Sequence, residues 1–149
     1  MRGEGNTLAI DRHKSRILSM QALCQLDTQG EEYLPTVATF LADHLDSGET
    51  LSYAHDLVEL AWREREVVEQ EIAQHSKGWT MARMSPVDRN VLRVAMAEFD
   101  LKQAPPKVII NEAIEIAKEF GAAESGGFVN GILDNVWKMI DPSAQDQKG

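Results

Sequence analysis

Four cationic or potentially cationic side chains crowd into five residues near the start of the chain: Arg12, His13, Lys14 and Arg16. Arg12 and Arg16 are spaced i, i+4, which places both on one face of a helix. Guanidinium and ammonium groups in that arrangement can hold phosphates through charge-assisted hydrogen bonds. A solvated basic helix end is the plainer reading of the same residues. Cations at a helix N-terminus also oppose the macrodipole, so the pattern needs a function or a compensating partner. A second candidate lies far along the chain, at Gly126-Gly127-Phe128-Val129-Asn130-Gly131. An exposed Phe128 ring at a helix start could stack on an unpaired base, with a phosphate at the helix N-terminus. It could equally be a core anchor, with the glycines allowing close packing. Asn130 could read a base edge or bond a neighbouring backbone. Gly131 inside a helix costs about 1 kcal/mol against Ala, which implies a neighbour packed closely on it.

Enzyme chemistry finds no support. His13, His44, His55 and His75 lie on separate segments without metal-ligand spacing, and Cys24 has no partner cysteine. The glycine-rich stretch lacks the Gly-Lys-Ser/Thr of a phosphate loop and follows no strand. Glu124-Ser125-Gly126 lacks the flanking glycines of a nucleophile elbow. No catalytic residue, metal or cofactor is therefore expected.

The net charge of −9 argues against a general nucleic-acid binder. The charge is uneven, however. Residues 1–16 hold Arg2, Arg12, Lys14 and Arg16 against Glu4 and Asp11, a net +2. A basic tip on an acidic body suits directed contact with an anion. One cysteine, no apolar run of membrane length and no signal-peptide core point to a cytoplasmic protein.

The elements that position these residues read as helices throughout. Residues 1–10 read as a mobile tail, 11–142 as one all-helical domain, and 143–149 as a disordered tail. Asp11 suits an N-cap for a helix to about Leu26, apolar almost all round and so central. Leu34 to Leu45 reads as a short helix, and Ser47-Gly48 as a turn. Thr50 caps a long helix to about His75, with Tyr53, Leu57, Leu60, Ala61, Val68 and Ile72 inward and a charged outer face from Arg63 to Glu71. Trp79 to Met84 reads as a helical turn. Ser85-Pro86-Val87-Asp88 opens the next helix with a capping-box variant. Val91, Leu92, Ala95, Met96 and Phe99 form its buried face, and Arg89 and Arg93 share a side. Pro106 starts another helix whose stripe is Ile109, Ala113, Ile116, Ala117 and Phe120, ended by Gly121 as a left-handed cap. Ser125 caps the last helix, with Val129, Leu133, Val136 and Ile140 inward, and Asp141-Pro142 ends it. The sum is six to seven helices and no strand.

The string Val108-Ile109-Ile110-Asn111-Glu112-Ala113-Ile114-Glu115-Ile116-Ala117-Lys118-Glu119-Phe120-Gly121, followed by Phe128-Val129-Asn130-Gly131-Ile132-Leu133-Asp134, resembles the C-terminal signature of the NusB family. Arg12 to Arg16 followed by Gln21-Ala22-Leu23 is similar to the family's arginine-rich first helix. Val87 to Ala95, followed by Glu98, is similar to its middle helix. The resemblance implies two packed three-helix bundles. It also implies a non-catalytic adaptor in transcription antitermination that binds single-stranded boxA RNA of nascent ribosomal transcripts with a small-subunit ribosomal protein, NusE, in the elongation complex. By that likeness Arg12, His13, Lys14 and Arg16 meet phosphates and Phe128 and Asn130 lie on the RNA surface, while Asp88, Arg89 and Arg93 face the protein partner. A homodimer is compatible with the same fold. Cys24 stands where relatives often have an aromatic, Gly126-Gly127 where they often have a basic residue, and His13 and Lys14 dilute the arginine run. These departures predict weak RNA binding by the lone chain. Two other readings are the NusB-like module of an rRNA cytosine methyltransferase and a helical scaffold that binds protein alone. The first needs a methyltransferase domain, which the sequence to Gly149 does not contain.

Overall fold

The computed structural model describes residues 10–46, 48–76, 78 and 80–141. The two expected tails, apart from residue 10, lie outside the described residues, as do Ser47, Lys77, Trp79 and Pro142. Seven α-helices follow one another: α1 (Arg12–Gln29), α2 (Leu34–His44), α3 (Glu49–Arg63), α4 (Arg65–Ala73), α5 (Pro86–Leu101), α6 (Pro106–Phe120) and α7 (Ser125–Ile140). Short 3-10 turns at Glu31–Tyr33 and Met81–Arg83 complete the described residues, which contain no strand.

Helices α1, α2 and α3 form one bundle, α5, α6 and α7 a second, and α1 packs directly on α5 between them. Small residues let α1 and α3 approach closely. Ser15 Oγ donates to the Thr50 carbonyl at 2.7 Å and Ser19 Oγ to the Ala54 carbonyl at 3.2 Å, beside buried Ala22 and Ala61. Polar side chains can be buried there because each returns a hydrogen bond to the neighbouring backbone. The Asp11 carboxylate caps α1 by accepting from the Lys14 N–H at 3.0 Å.

The most enclosed helix is α5, in which every residue from 90 to 99 is buried. Sequence periodicity assigns it one apolar face; neighbours on all sides bury the rest, including Arg93 and Glu98. Ser85 caps it through the Asp88 N–H at 3.2 Å, as the capping pattern requires.

Several local expectations change. The helix expected from Thr50 to His75 breaks at Glu64, where Arg65 turns back to stack on the Trp62 ring at 3.9 Å and donates to the Trp62 carbonyl at 2.5 Å. Thr50 lies inside α3, and its hydroxyl accepts the Asp11 N–H at 3.0 Å. Gly121 is extended rather than left-handed, and glycine is required there by close approach. A Cβ would stand 2.6 Å from Ser125 Oγ. Ser125 is the first residue of α7, and its Oγ accepts from the Ala122 N–H at 2.9 Å instead of capping the helix. Phe120 and Ile140 are 37% and 49% exposed, because each sits at the last turn of its helix, beyond the reach of the facing element. Gly131 is exposed with nothing within 4 Å of a Cβ, so no close packing within the chain accounts for it.

Candidate nucleic-acid interface

The basic cluster at the start of α1 divides in two. Arg16, 5% exposed, is part of the core. Its Nε and Nη2 donate to Oε1 and Oε2 of Glu98 on α5 at 2.7 and 2.6 Å, a two-point carboxylate pair. Its Nη1 lies 3.3 Å from Glu112 on α6. Burial alone would lower the Arg16 pKa, but the hydrogen bond and charge of Glu98 outweigh it and hold the value above the ordinary one. Tyr53 of α3 adds its hydroxyl, donating to Glu98 Oε2 at 2.6 Å. Burial and the adjoining carboxylate push the Tyr53 phenol well above its usual range. Glu98 thus gathers α1, α3 and α5 at one point. The expectation that Arg16 shares an outward phosphate-binding face with Arg12 is corrected on geometry, since its guanidinium is committed inward.

Arg12 sits partly exposed above this hub. Its guanidinium carbon lies 4.6 Å from the Tyr53 ring centroid, and Nη1 donates to the Gln103 carbonyl at 2.5 Å. Its Nε has no hydrogen-bond partner. His13 Nδ1 lies 2.7 Å from Glu112 Oε1 and Lys14 is exposed. The outward basic side chains are therefore Arg12, His13 and Lys14.

A second polar knot joins the other ends of α1 and α5. Asp27 accepts from Arg93 Nη1 at 2.8 Å, Arg89 Nε at 3.0 Å and Asn90 Nδ2 at 3.0 Å. Burial would raise the Asp27 pKa, but its hydrogen bonds to Arg93, Asn90 and Arg89 and the positive charge of Arg93 hold it below the ordinary carboxylate value. Arg89 also donates to the Met81 carbonyl at 2.9 Å, fixing the 3-10 turn. Arg93 is buried, so of the three residues expected to face a protein partner only Asp88 keeps its carboxylate outside an ion pair, with Oδ1 enclosed and without a hydrogen bond.

Asp88, Met84 and Ser85 form one wall of a groove of about 760 Å³ whose other wall is Glu124, Gly127 and Phe128. Phe128 is half-buried against the core and half-open to this groove, which combines the two readings of the ring. Asn130 is exposed two residues further along α7, about 200° round the helix axis from Phe128. Cys24 touches the Pro86 carbonyl at 3.6 Å, beside the groove. Burial raises its thiol pKa above the ordinary value. Cys24 lies twelve residues beyond Arg12 on α1, roughly 18 Å along the helix axis. The two clusters are thus offset along one side-by-side pair of helices rather than merged.

The roles of Glu98, Asp27, Tyr53 and Glu112 escape a reading of motifs. A signal for the first does exist: Arg93 and Glu98 interrupt an otherwise apolar run from Val91 to Phe99, and charges embedded in such a run must find partners.

This fold and site define an all-helical protein with exposed basic groups at the start of α1 and a groove of mixed lining between the starts of α5 and α7. The family model described as NusB family matches residues 13–138. A transcription antitermination protein NusB of Koribacter versatilis is 41% identical over 132 residues, covering 87% of this chain and 90% of the relative. That of Bacillus thuringiensis is 44% identical over 127 residues, covering 84% and 95%. Among solved structures, T. maritima NusB superposes with a TM-score of 0.72 at 34% identity, covering 85% of this chain and 90% of that one. A chain of the crystal structure of antitermination factors NusB and NusE in complex with dsRNA superposes at 0.75 with 27% identity, covering 86% and 96%. The chain belongs to the NusB family.

Proposed function

We propose that this protein is a non-catalytic RNA-binding adaptor of transcription antitermination. It binds boxA-type single-stranded RNA of nascent ribosomal transcripts together with the small-subunit ribosomal protein NusE, within the elongation complex. The observation that carries this reading is the likeness, over most of both chains, to a chain of the NusB–NusE–dsRNA crystal structure. Arg12, Lys14 and, when protonated, His13 meet phosphates. Phe128 offers the exposed part of its ring to a base, and Asn130, exposed on another side of the same helix start, makes a separate contact. Asp88 and the adjoining groove form the protein-partner face, held in place by Arg89 and Arg93 through Asp27.

The test is binding of a short boxA-like single strand, with and without NusE, at several salt concentrations, against duplex RNA and duplex DNA of equal length. Two phosphate contacts, from Arg12 and Lys14, give a log–log salt slope of about −1.4, since each contact to a single strand contributes about 0.7. Phe128→Ala weakens binding by about 1–3 kcal/mol if the ring stacks on a base. Absence of RNA binding even with NusE present would leave a helical protein scaffold and sink the RNA role.

A further inference from the structure

We infer that Glu98 is a positioning residue for the RNA-facing end of α1, acting on Arg12 through Tyr53. This rests on the RNA-binding reading above and deepens it. Arg12 and Glu98 do not touch; the tyrosine ring stands between them. One end of that ring is fixed, because its hydroxyl donates to Glu98 Oε2 at 2.6 Å. Its face carries the Arg12 guanidinium carbon at 4.6 Å from the centroid. The same carboxylate takes both Nε and Nη2 of Arg16, one helical turn below Arg12 on α1. Glu98 therefore fixes both the helix that bears Arg12 and the platform on which its head group rests.

The arrangement has a physical purpose if Arg12 meets a phosphate. A free arginine loses much rotamer entropy when it binds, and a side chain already held over a ring and bonded to the Gln103 carbonyl has surrendered most of it beforehand. The Arg12 Nε is itself enclosed and has no hydrogen-bond partner, so a phosphate is met by the outer edge of the anchored guanidinium and not by this nitrogen. Arg16, by contrast, spends its charge on Glu98 and contributes to RNA binding only through this geometry.

The experiment is a double-mutant cycle between Arg12→Gln and Glu98→Gln, read as affinity and salt slope for the boxA-like single strand with NusE present. In the native background Arg12→Gln weakens binding roughly fivefold and reduces the slope by about 0.7. In the Glu98→Gln background the same change costs less than about twofold and leaves the slope unaltered, because the head group is no longer presented. An equal loss in both backgrounds would overturn the proposal, showing Glu98 to be a fold residue only. Tyr53→Phe, which keeps the ring and deletes only its bond to Glu98, serves the same cycle if Glu98→Gln unfolds at the assay temperature; there too, coupling supports and additivity overturns. Nitrogen relaxation of Arg12 Nε, measured without RNA, separates this from the underlying reading. Increased motion of that group in Tyr53→Phe is expected, and unchanged motion would refute the positioning role whether or not the protein binds RNA. Native protein that binds no strand at any salt would refute the RNA reading itself.

Discussion

Arg12–Arg16 on α1 and Arg89–Arg93 on α5 share one spacing, and each pair reads in the sequence as a surface patch. In the structure the second arginine of each is driven inward to a carboxylate of the opposite helix: Arg16 to Glu98, Arg93 to Asp27. The two helices run antiparallel and clamp each other reciprocally, one ion pair near each end of their contact. The clamps differ in how far they exclude water. The Arg16 and Glu98 side chains are 6% and 1% exposed, whereas Asp27 is 19% exposed and borders an open recess of about 280 Å³. One end of the α1–α5 contact is sealed and the other is solvated. Spacing places an arginine on a face, and only tertiary contact decides whether that face meets water.

That contrast can be broken by removing one charge at a time. Arg16→Met leaves the Glu98 carboxylate buried and unpaired, and costs about 3–5 kcal/mol in denaturant unfolding. Restoring neutrality with Arg16→Met/Glu98→Leu recovers most of the loss; a double variant as unstable as the single one would show that shape, not charge, governs this end. Asp27→Asn, at the open end, costs about 1–3 kcal/mol. Because the folded pKa of Asp27 is depressed, its stabilisation is present above the ordinary carboxylate range and lost as pH falls through the folded value. Melting temperature against pH should therefore fall less steeply on the acid side in Asp27→Asn.

Gly131→Ala sharpens the comparison away from the clamps. A Cβ there meets nothing, so the variant gains about 0.5–1 kcal/mol in chemical denaturation. The smallest effect falls on the carboxylates beside α3–α4. Asp100 and Glu71 are both raised above the ordinary value, by burial first and by neighbouring carboxylates second. Raised values destabilise the fold above the ordinary carboxylate range and cease to do so as pH drops below it. Asp100→Asn should raise the melting temperature slightly at pH 7, by less at acid pH.

Helix order and most termini were legible because caps and apolar spacing are local. Asp11, Ser85 and Pro106 act at the ends where their chemistry places them. The break at Glu64 was not, since Arg63 to Glu66 is an ordinary helical charge run whose interruption depends on Trp62 being available for Arg65 to stack upon. The basic residues at the candidate site were visible as residue types, but their division into buried Arg16 and outward Arg12 and Lys14 depends on Glu98, 82 positions along the chain from Arg16. Family likeness drew attention to Glu98 without saying what it holds.

That separation has a consequence for how the molecule comes into being. At the roughly 5–20 residues per second of protein synthesis, Glu98 follows Arg16 by roughly 4–16 seconds. Through that interval α1 can pack on α2 and α3 but lacks α5 and its counter-charge, and closing so long a loop carries its entropic cost before the Arg16–Glu98 contact repays it. The basic end of α1 is made early and neutralised late.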